Sequence, residues 1–137
     1  MKIKMNNFSR KIVLFLVILF AQSSLGTTYA KADLSNAMTV NLAQNGYAKF
    51  NNGLLIQWGF SGIGGYNTIY FPISFYNTNY SLTANERIAS AQSNVYSIHL
   101  LNMYTSYFTV RGRYHASSGN SGDMKDEFYW LAIGRWK

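Results

Sequence analysis

The chain is 137 residues long, with twelve basic and five acidic residues, nine Phe, eleven Tyr, three Trp and no cysteine. The missing cysteine excludes disulfide staples and zinc–thiolate sites, and so many aromatic side chains exclude an intrinsically disordered chain. Stability therefore has to come from packing, with oligomerisation as a further source.

Residues 1–11 carry Lys2, Lys4, Arg10 and Lys11 with no acid, and residues 12–21 (IVLFLVILFA) form an unbroken apolar run. Thr28-Tyr29-Ala30 then offers small residues at −3 and −1, so residues 1–30 read as a secretory signal peptide. The apolar run falls short of the roughly 20 residues that a membrane-spanning helix needs, which favours cleavage over an uncleaved anchor. No cysteine follows it, so no lipid anchor is expected. The expected destination is the periplasm or the outside of the cell, with membrane contact only through the signal segment before cleavage. Cleavage removes four of the twelve cations and leaves eight basic and five acidic groups, a net charge of +3 rather than +7. The high pI is thus mainly a property of the export signal, and no nucleic-acid partner is expected.

Residues 31–44 are polar and small and read as a linker or N-terminal arm. From Asn45 the apolar period is two. Leu54, Ile56, Trp58 and Phe60 alternate with Leu55, Gln57 and Gly59; Ile69, Phe71, Ile73 and Phe75 alternate with Tyr70, Pro72, Ser74 and Tyr76. Tyr80, Leu82 and Ala84 alternate with Ser81 and Thr83, and Phe108, Val110 and Tyr114 with Thr109, Arg111 and Arg113. Such alternation marks half-buried strands, with Ile56, Phe71 and Val110 among the expected core residues. Asn51-Asn52-Gly53 predicts a tight hairpin turn. Pro72 lacks an amide hydrogen, so its strand should be an edge or bulged there. Residues 95–104 (VYSIHLLNMY) and 128–133 (FYWLAI) are apolar at nearly every position and read as strands covered on both sides. Residues 83–93 offer the one candidate helix, which could equally be a loop, and residues 117–126 read as an exposed loop. The sum is an all-β domain over residues 45–137, a small antiparallel β-sandwich of about seven strands.

Three clusters carry a resemblance. NGYAKF at residues 45–50 runs into NGLLIQWG at 52–59; FPISF follows at 71–75, and FYWLAIG closes the chain at 128–134. In this order they resemble the C-terminal (tip) domain of phage tail-fibre proteins, across nearly all of residues 45–134. The resemblance implies a β-sandwich tip, usually a homotrimer, that contacts a surface polysaccharide or another receptor, and it brings no catalytic set. Two departures stand out: a signal peptide occupies the place of the long fibre shaft, and phage fibres need no export signal. The combination points to a tip-like domain, of prophage type, used as a secreted protein.

No chemistry-bearing pattern competes with a binding role. Trp58 and Trp130 lie on apolar strand faces and read as core; Gly53, Gly59 and Gly134 read as backbone-geometry residues. Ser61-Gly62-Ile63-Gly64-Gly65 is no nucleophile elbow, and His99 in its apolar strand reads as a hydrogen-bonded core histidine. The acids Asp33, Glu86, Asp123, Asp126 and Glu127 do not form an isolated glycosidase pair, with the last three in a polar loop. No metal-ligand spacing and no phosphate loop occur, so no cofactor or metal is expected. Tyr66, Tyr70, Tyr76, Tyr104, Tyr107 and Tyr114 fall in loops or at polar-alternating positions, where rings can stack on sugar C–H faces. Arg111 and Arg113 project from one side of one strand toward an anionic saccharide. The alternative use of these tyrosines is packing between protomers. The expected function is therefore an exported recognition module, not an enzyme; the alternative is a purely structural, self-associating envelope or matrix component.

Overall fold

A computed structural model describes residues 12, 14–16, 18, 29–62, 65–88 and 93–137. The expected signal peptide lies almost wholly outside the described residues. Residues 12, 14–16 and 18 are helical, and no helix among the described residues is long and apolar enough to cross a membrane. The chain forms two units, Met1–Met38 and Thr39–Lys137.

The second unit is built from nine strands among the described residues: β1 Met38–Asn41, β2 Gly46–Phe50, β3 Leu54–Ser61, β4 Tyr66–Tyr70, β5 Ser81–Arg87, β6 Val95–Met103, β7 Tyr107–His115, β8 Ser121–Asp123 and β9 Glu127–Arg135. Sheet A runs β1-β2-β3-β9-β5; sheet B runs β4-β7-β6, with β8 also paired to β7. The resolved registers are antiparallel throughout. The all-β sandwich read from the period-two pattern is present, with β1 and β8 added in stretches read as arm and loop. The candidate helix is absent where it is described, because Thr83–Arg87 belong to β5, paired with β9.

Turn chemistry sets the hairpins. Gly53 has φ 104° and its N–H donates to Phe50 O at 3.0 Å, while Leu54 N–H donates to Asn52 Oδ1 at 3.1 Å. A left-handed residue following Asn-Asn is where glycine is needed. The C-terminus pins this turn, since Trp136 Nε1 donates to Phe50 O at 2.7 Å and Trp136 N–H to Gly53 O at 3.0 Å.

The core joins the inner faces of both sheets: Leu55, Phe128, Trp130 and Ala132 from sheet A, Ile69, Phe108 and Val110 from sheet B, and Phe71, Phe75 and Tyr80 from the irregular segment 71–80. Phe71 sits at the centre, edge-on to Phe75 (4.9 Å, 89°) and Tyr80 (5.3 Å, 89°) and 5.6 Å from Trp130. Each such side chain removed from water contributes about 1.5–3 kcal/mol. Pro72 falls just past the end of edge strand β4, outside the hydrogen-bonded ladder.

One phase is reversed from the sequence expectation. On β3 the buried residues are Leu55, Gln57 and Gly59; Leu54, Ile56, Trp58 and Phe60 are half-buried on the opposite face. The cause is Trp130. Its indole lies over Gly59, where a Cβ would come within 2.4 Å of the ring, so only glycine fits beneath it. With Gly59 inward, the pleat turns Trp58 and Ile56 outward. Gln57 is fully buried yet satisfied: its Nε2 donates to Ile73 O at 2.8 Å and its Oε1 accepts Ile73 N–H at 2.9 Å. Trp58 is therefore not a core residue, whereas Trp130, 3% exposed, is.

The two expected doubly covered strands are each open on one side among the described residues. β9 buries Phe128, Trp130 and Ala132 but leaves Tyr129, Leu131 and Ile133 at 48%, 41% and 42% exposure. β6 is an edge strand with Val95, His99, Leu100 and Leu101 exposed. His99 is thus hydrogen-bonded, to Ser97 Oγ at 3.1 Å, but it lies on the surface and not in the core.

Candidate functional site

The outer face of sheet B collects the residues with binding chemistry. Registers place Tyr70 beside Tyr107, Thr68 beside Thr109 and Tyr66 beside Arg111. On the other side of β7, Asn102 lies beside Thr109, His99 beside Arg111 and Ser97 beside Arg113. β8 brings Asp123 beside Arg113 along the edge of β7 where β4 has ended. Alternation along β7 then presents Tyr107, Thr109, Arg111 and Arg113 as one row, while Phe108 and Val110 fill the core.

At one end of this row is an aromatic tier. Tyr104 and Tyr107 stack with centroids 4.4 Å apart at 24°, and Tyr70 meets Tyr107 at 5.5 Å. Removal from water, followed by the neighbouring Tyr104, raises the Tyr107 phenol above its ordinary range. The turn carrying these rings is held from beneath. Phe71 N–H donates to Ser106 O at 2.9 Å, Phe75 N–H to Thr105 O at 2.8 Å, and the Tyr80 hydroxyl to Tyr104 O at 3.0 Å. Rings fixed by backbone bonds lose little freedom when a ligand stacks on them.

In the middle is a depression of about 270 Å³ lined by Tyr66, Asn67, Thr68, Leu101, Asn102 and Thr109. It forms where the β6–β7 register shifts between Leu100 and Asn102, a bulge that separates β6 from its partner. Thr109 Oγ1 accepts from both Asn102 N–H and Asn102 Nδ2, each at 3.2 Å.

Beyond the depression lies a charged tier. The Arg111 guanidinium sits 4.6 Å from the Tyr66 ring centroid and donates to the Tyr66 hydroxyl at 3.2 Å. Arg111 and Arg113 both bind Asp123 Oδ1 at 3.1 Å, and Arg113 also reaches Ser121 Oγ at 3.4 Å. The hydrogen bond from Arg113, then that from Arg111, holds the Asp123 carboxyl below the usual carboxylate range. The two guanidiniums share one carboxylate, so a single net positive charge faces outward.

Of the eight residues singled out in the sequence, Tyr66, Tyr70, Tyr104, Tyr107, Arg111 and Arg113 share this face. Tyr76 does not: its N–H donates to Arg135 O at 2.7 Å, with the Arg135 guanidinium 5.9 Å from its ring. Tyr114 points to the opposite side of β7, 6.4 Å from Tyr96. Thr68, Asn102, Thr109 and Asp123 belong to the face but carry no signal in the sequence, because only the cross-strand register brings them together. Among the described residues no group of three or more His, Cys, Asp or Glu side chains is placed to hold a metal.

The second unit is a two-sheet antiparallel sandwich with one aromatic and polar face. The chain belongs to the family described as "Putative tail fiber protein gp53-like, C-terminal", whose model matches residues 49–135. Solved structures with a similar fold include the N-truncated R2-type pyocin tail fibre, at 22% identity and a TM-score of 0.56 over 83% of this chain. The C-terminal part of the P. aeruginosa R2 pyocin fibre matches with the same figures. The N-truncated R1-type pyocin tail fibre matches at 19% identity and a TM-score of 0.55 over 85%. The chain spans 47% and 32% of the two R2 structures and 94% of the R1 structure. No curated protein matches it in sequence.

Proposed function

We propose that this chain is an exported recognition module, not an enzyme, that binds a cell-surface saccharide through the outer face of sheet B. The observation that carries the proposal is the arrangement of that face: a fixed three-tyrosine tier, a polar depression and an arginine tier in one line. Stacked rings suit sugar C–H faces, and Thr, Asn and Tyr polar groups suit hydroxyls. The shared Asp123 leaves only one net positive charge, so the face accommodates neutral or singly acidic saccharides. The test is a glycan array probed with the wild-type chain and a Tyr107→Ala, Arg111→Ala double variant. Loss of binding with an unchanged circular dichroism spectrum supports the site; equal binding by both proteins removes it.

The same proposal includes self-assembly, as a homotrimer, through the outer face of sheet A. There Ile56 pairs with Ile133, Trp58 with Leu131 and Phe60 with Tyr129, giving an apolar stripe across two central strands. Exposed apolar stripes of this kind mark interfaces. Burying that stripe between copies leaves the tyrosine face of sheet B outward for a ligand. Light scattering coupled to size-exclusion chromatography gives the stoichiometry; a monomer at all concentrations refutes this part. Export is tested by mass spectrometry of the producer's secreted fraction, where finding the chain only in the cytoplasm or in phage particles refutes it.

A further inference from the structure

We propose that a second pocket, at the opposite end of sheet B from the tyrosine turn, takes one uncharged pyranose ring. The ligand class rests on the saccharide reading above; the pocket is a separate place, sharing only Asp123 with the outer face. It is a cavity of about 390 Å³ lined by Asn94, Tyr96, Tyr114, Asp123, Lys125 and Asp126, within the size range of small-ligand sites. Tyr107 and Tyr114 are seven residues apart on β7, a span of about 23 Å.

The pocket arises because the row after Ile98 and Gly112 on the inward side of sheet B is not filled by the core. That row is Tyr96, Tyr114 and Gly122 on three adjacent strands. The Tyr114 ring lies against Gly122, where a Cβ would sit 2.8 Å from it, so any larger residue would displace the ring. Met124, buried at 1% exposure, bonds through its N–H to Gly112 O at 3.0 Å and turns the chain, so that Lys125 and Asp126 form a wall.

The chemistry of the lining selects the ligand. Two tyrosine rings, tilted 44° to one another, offer apolar surface to the C–H side of a sugar. Carboxylates accept from neighbouring hydroxyls, and an amide and an ammonium donate back. The guanidiniums of Arg111 and Arg113 both bind Asp123 Oδ1. The charges oppose ions of either sign. A metal cation meets Lys125 and the two arginines behind Asp123, and an acidic sugar meets Asp126 and Asp123. An uncharged ring with adjacent hydroxyls meets neither obstacle.

Saturation-transfer NMR on the full chain tests this with methyl glucoside, galactoside, mannoside and N-acetylglucosaminide, and with methyl glucuronide as the acidic control. At least one uncharged glycoside should receive saturation and shift the Tyr96 and Tyr114 ring resonances, and the glucuronide should leave those two rings unmoved. Asp126→Asn should weaken that binding about tenfold, the loss of one charged hydrogen bond, and Leu42→Ser, an exposed change between β1 and β2, should leave it unchanged. The pocket is refuted if no uncharged glycoside moves those resonances at about 50 mM, far above weak millimolar affinity, if only the glucuronide does, or if Asp126→Asn binds as wild type. A silent glycan array beside an occupied pocket would instead sink the outer-face site and leave the pocket standing.

Discussion

Gln57→Leu removes a side chain that ties sheet A to the irregular segment 71–80. Leucine nearly preserves the volume but deletes both hydrogen bonds to Ile73, at 2.8 and 2.9 Å, and leaves that residue's N–H and C=O without partners. A buried polar group left unpaired costs about 1–3 kcal/mol. Ile73 is only half-buried, so water recovers part of the loss, and about 2–3 kcal/mol is expected for the pair. In a domain of this size 1 kcal/mol moves Tm by about 4–8 °C, so the midpoint should fall by about 10–20 °C in calorimetry. The damage should also reach the site, because segment 71–75 holds the Tyr104–Tyr107 turn through Ser106 O and Thr105 O. Faster hydrogen exchange at the Phe71 and Phe75 amides is the expected local sign. Gln57→Glu separates the hydrogen bonds from the packing. A carboxyl facing Ile73 O and withdrawn from water has a raised folded pKa, so its protonated form restores the donor. That variant should be more stable at acid pH and lose stability as pH rises through the raised value. A Gln57→Leu midpoint within about 0.5 kcal/mol of wild type, the range of an ordinary surface change, or a Gln57→Glu variant indifferent to pH, would refute the reasoning.

Leu131→Lys places a charge in the middle of the sheet A stripe; since Leu131 is 41% exposed, monomer stability should change by no more than about 0.5 kcal/mol, while light scattering should shift toward monomer. Asp123 titrates below the ordinary carboxylate range because of Arg113 first and Arg111 second. Its contribution is therefore present above the unfolded value and lost as pH falls through the depressed one. NMR titration should show a midpoint below the ordinary carboxylate range that rises in Arg113→Gln. Gly59→Ala puts a methyl against the Trp130 indole at a site with no room and should cost about 1–3 kcal/mol in chemical denaturation; a neutral substitution would contradict the packing that sets the β3 phase.

The strands of this domain were legible because period-two alternation follows directly from the pleat, and Asn-Gly at 52–53 announces its own turn. Phe71, Val110 and Trp130 were readable as core for the same reason. β1 and β8 were not: short edge strands such as Ser121–Asp123 carry little apolar signal and exist because β7 offers an unpaired edge. The phase of β3 was misleading, since Ile56 and Trp58 outweigh Gln57 and Gly59 in hydrophobicity. Burial there is decided by the Trp130 indole, 71 residues further along the chain, and by hydrogen bonds to Ile73. Six of the eight candidate site residues could be named from their exposed aromatic or cationic character, but nothing local told that Tyr76 and Tyr114 would face elsewhere.

What the linear order of residues determined is local: which segments extend, where they turn, and which family the NGLLIQWG and FYWLAIG runs belong to. Each of these depends on neighbours a few positions apart. What only the assembled sandwich decided is which side of each strand is inward and which side chains meet across strands, including Asp123 between Arg111 and Arg113 and Tyr96 beside Tyr114. Those choices are made by contacts between distant parts of the chain, where one glycine beneath one indole outweighs the hydrophobicity of a whole strand face.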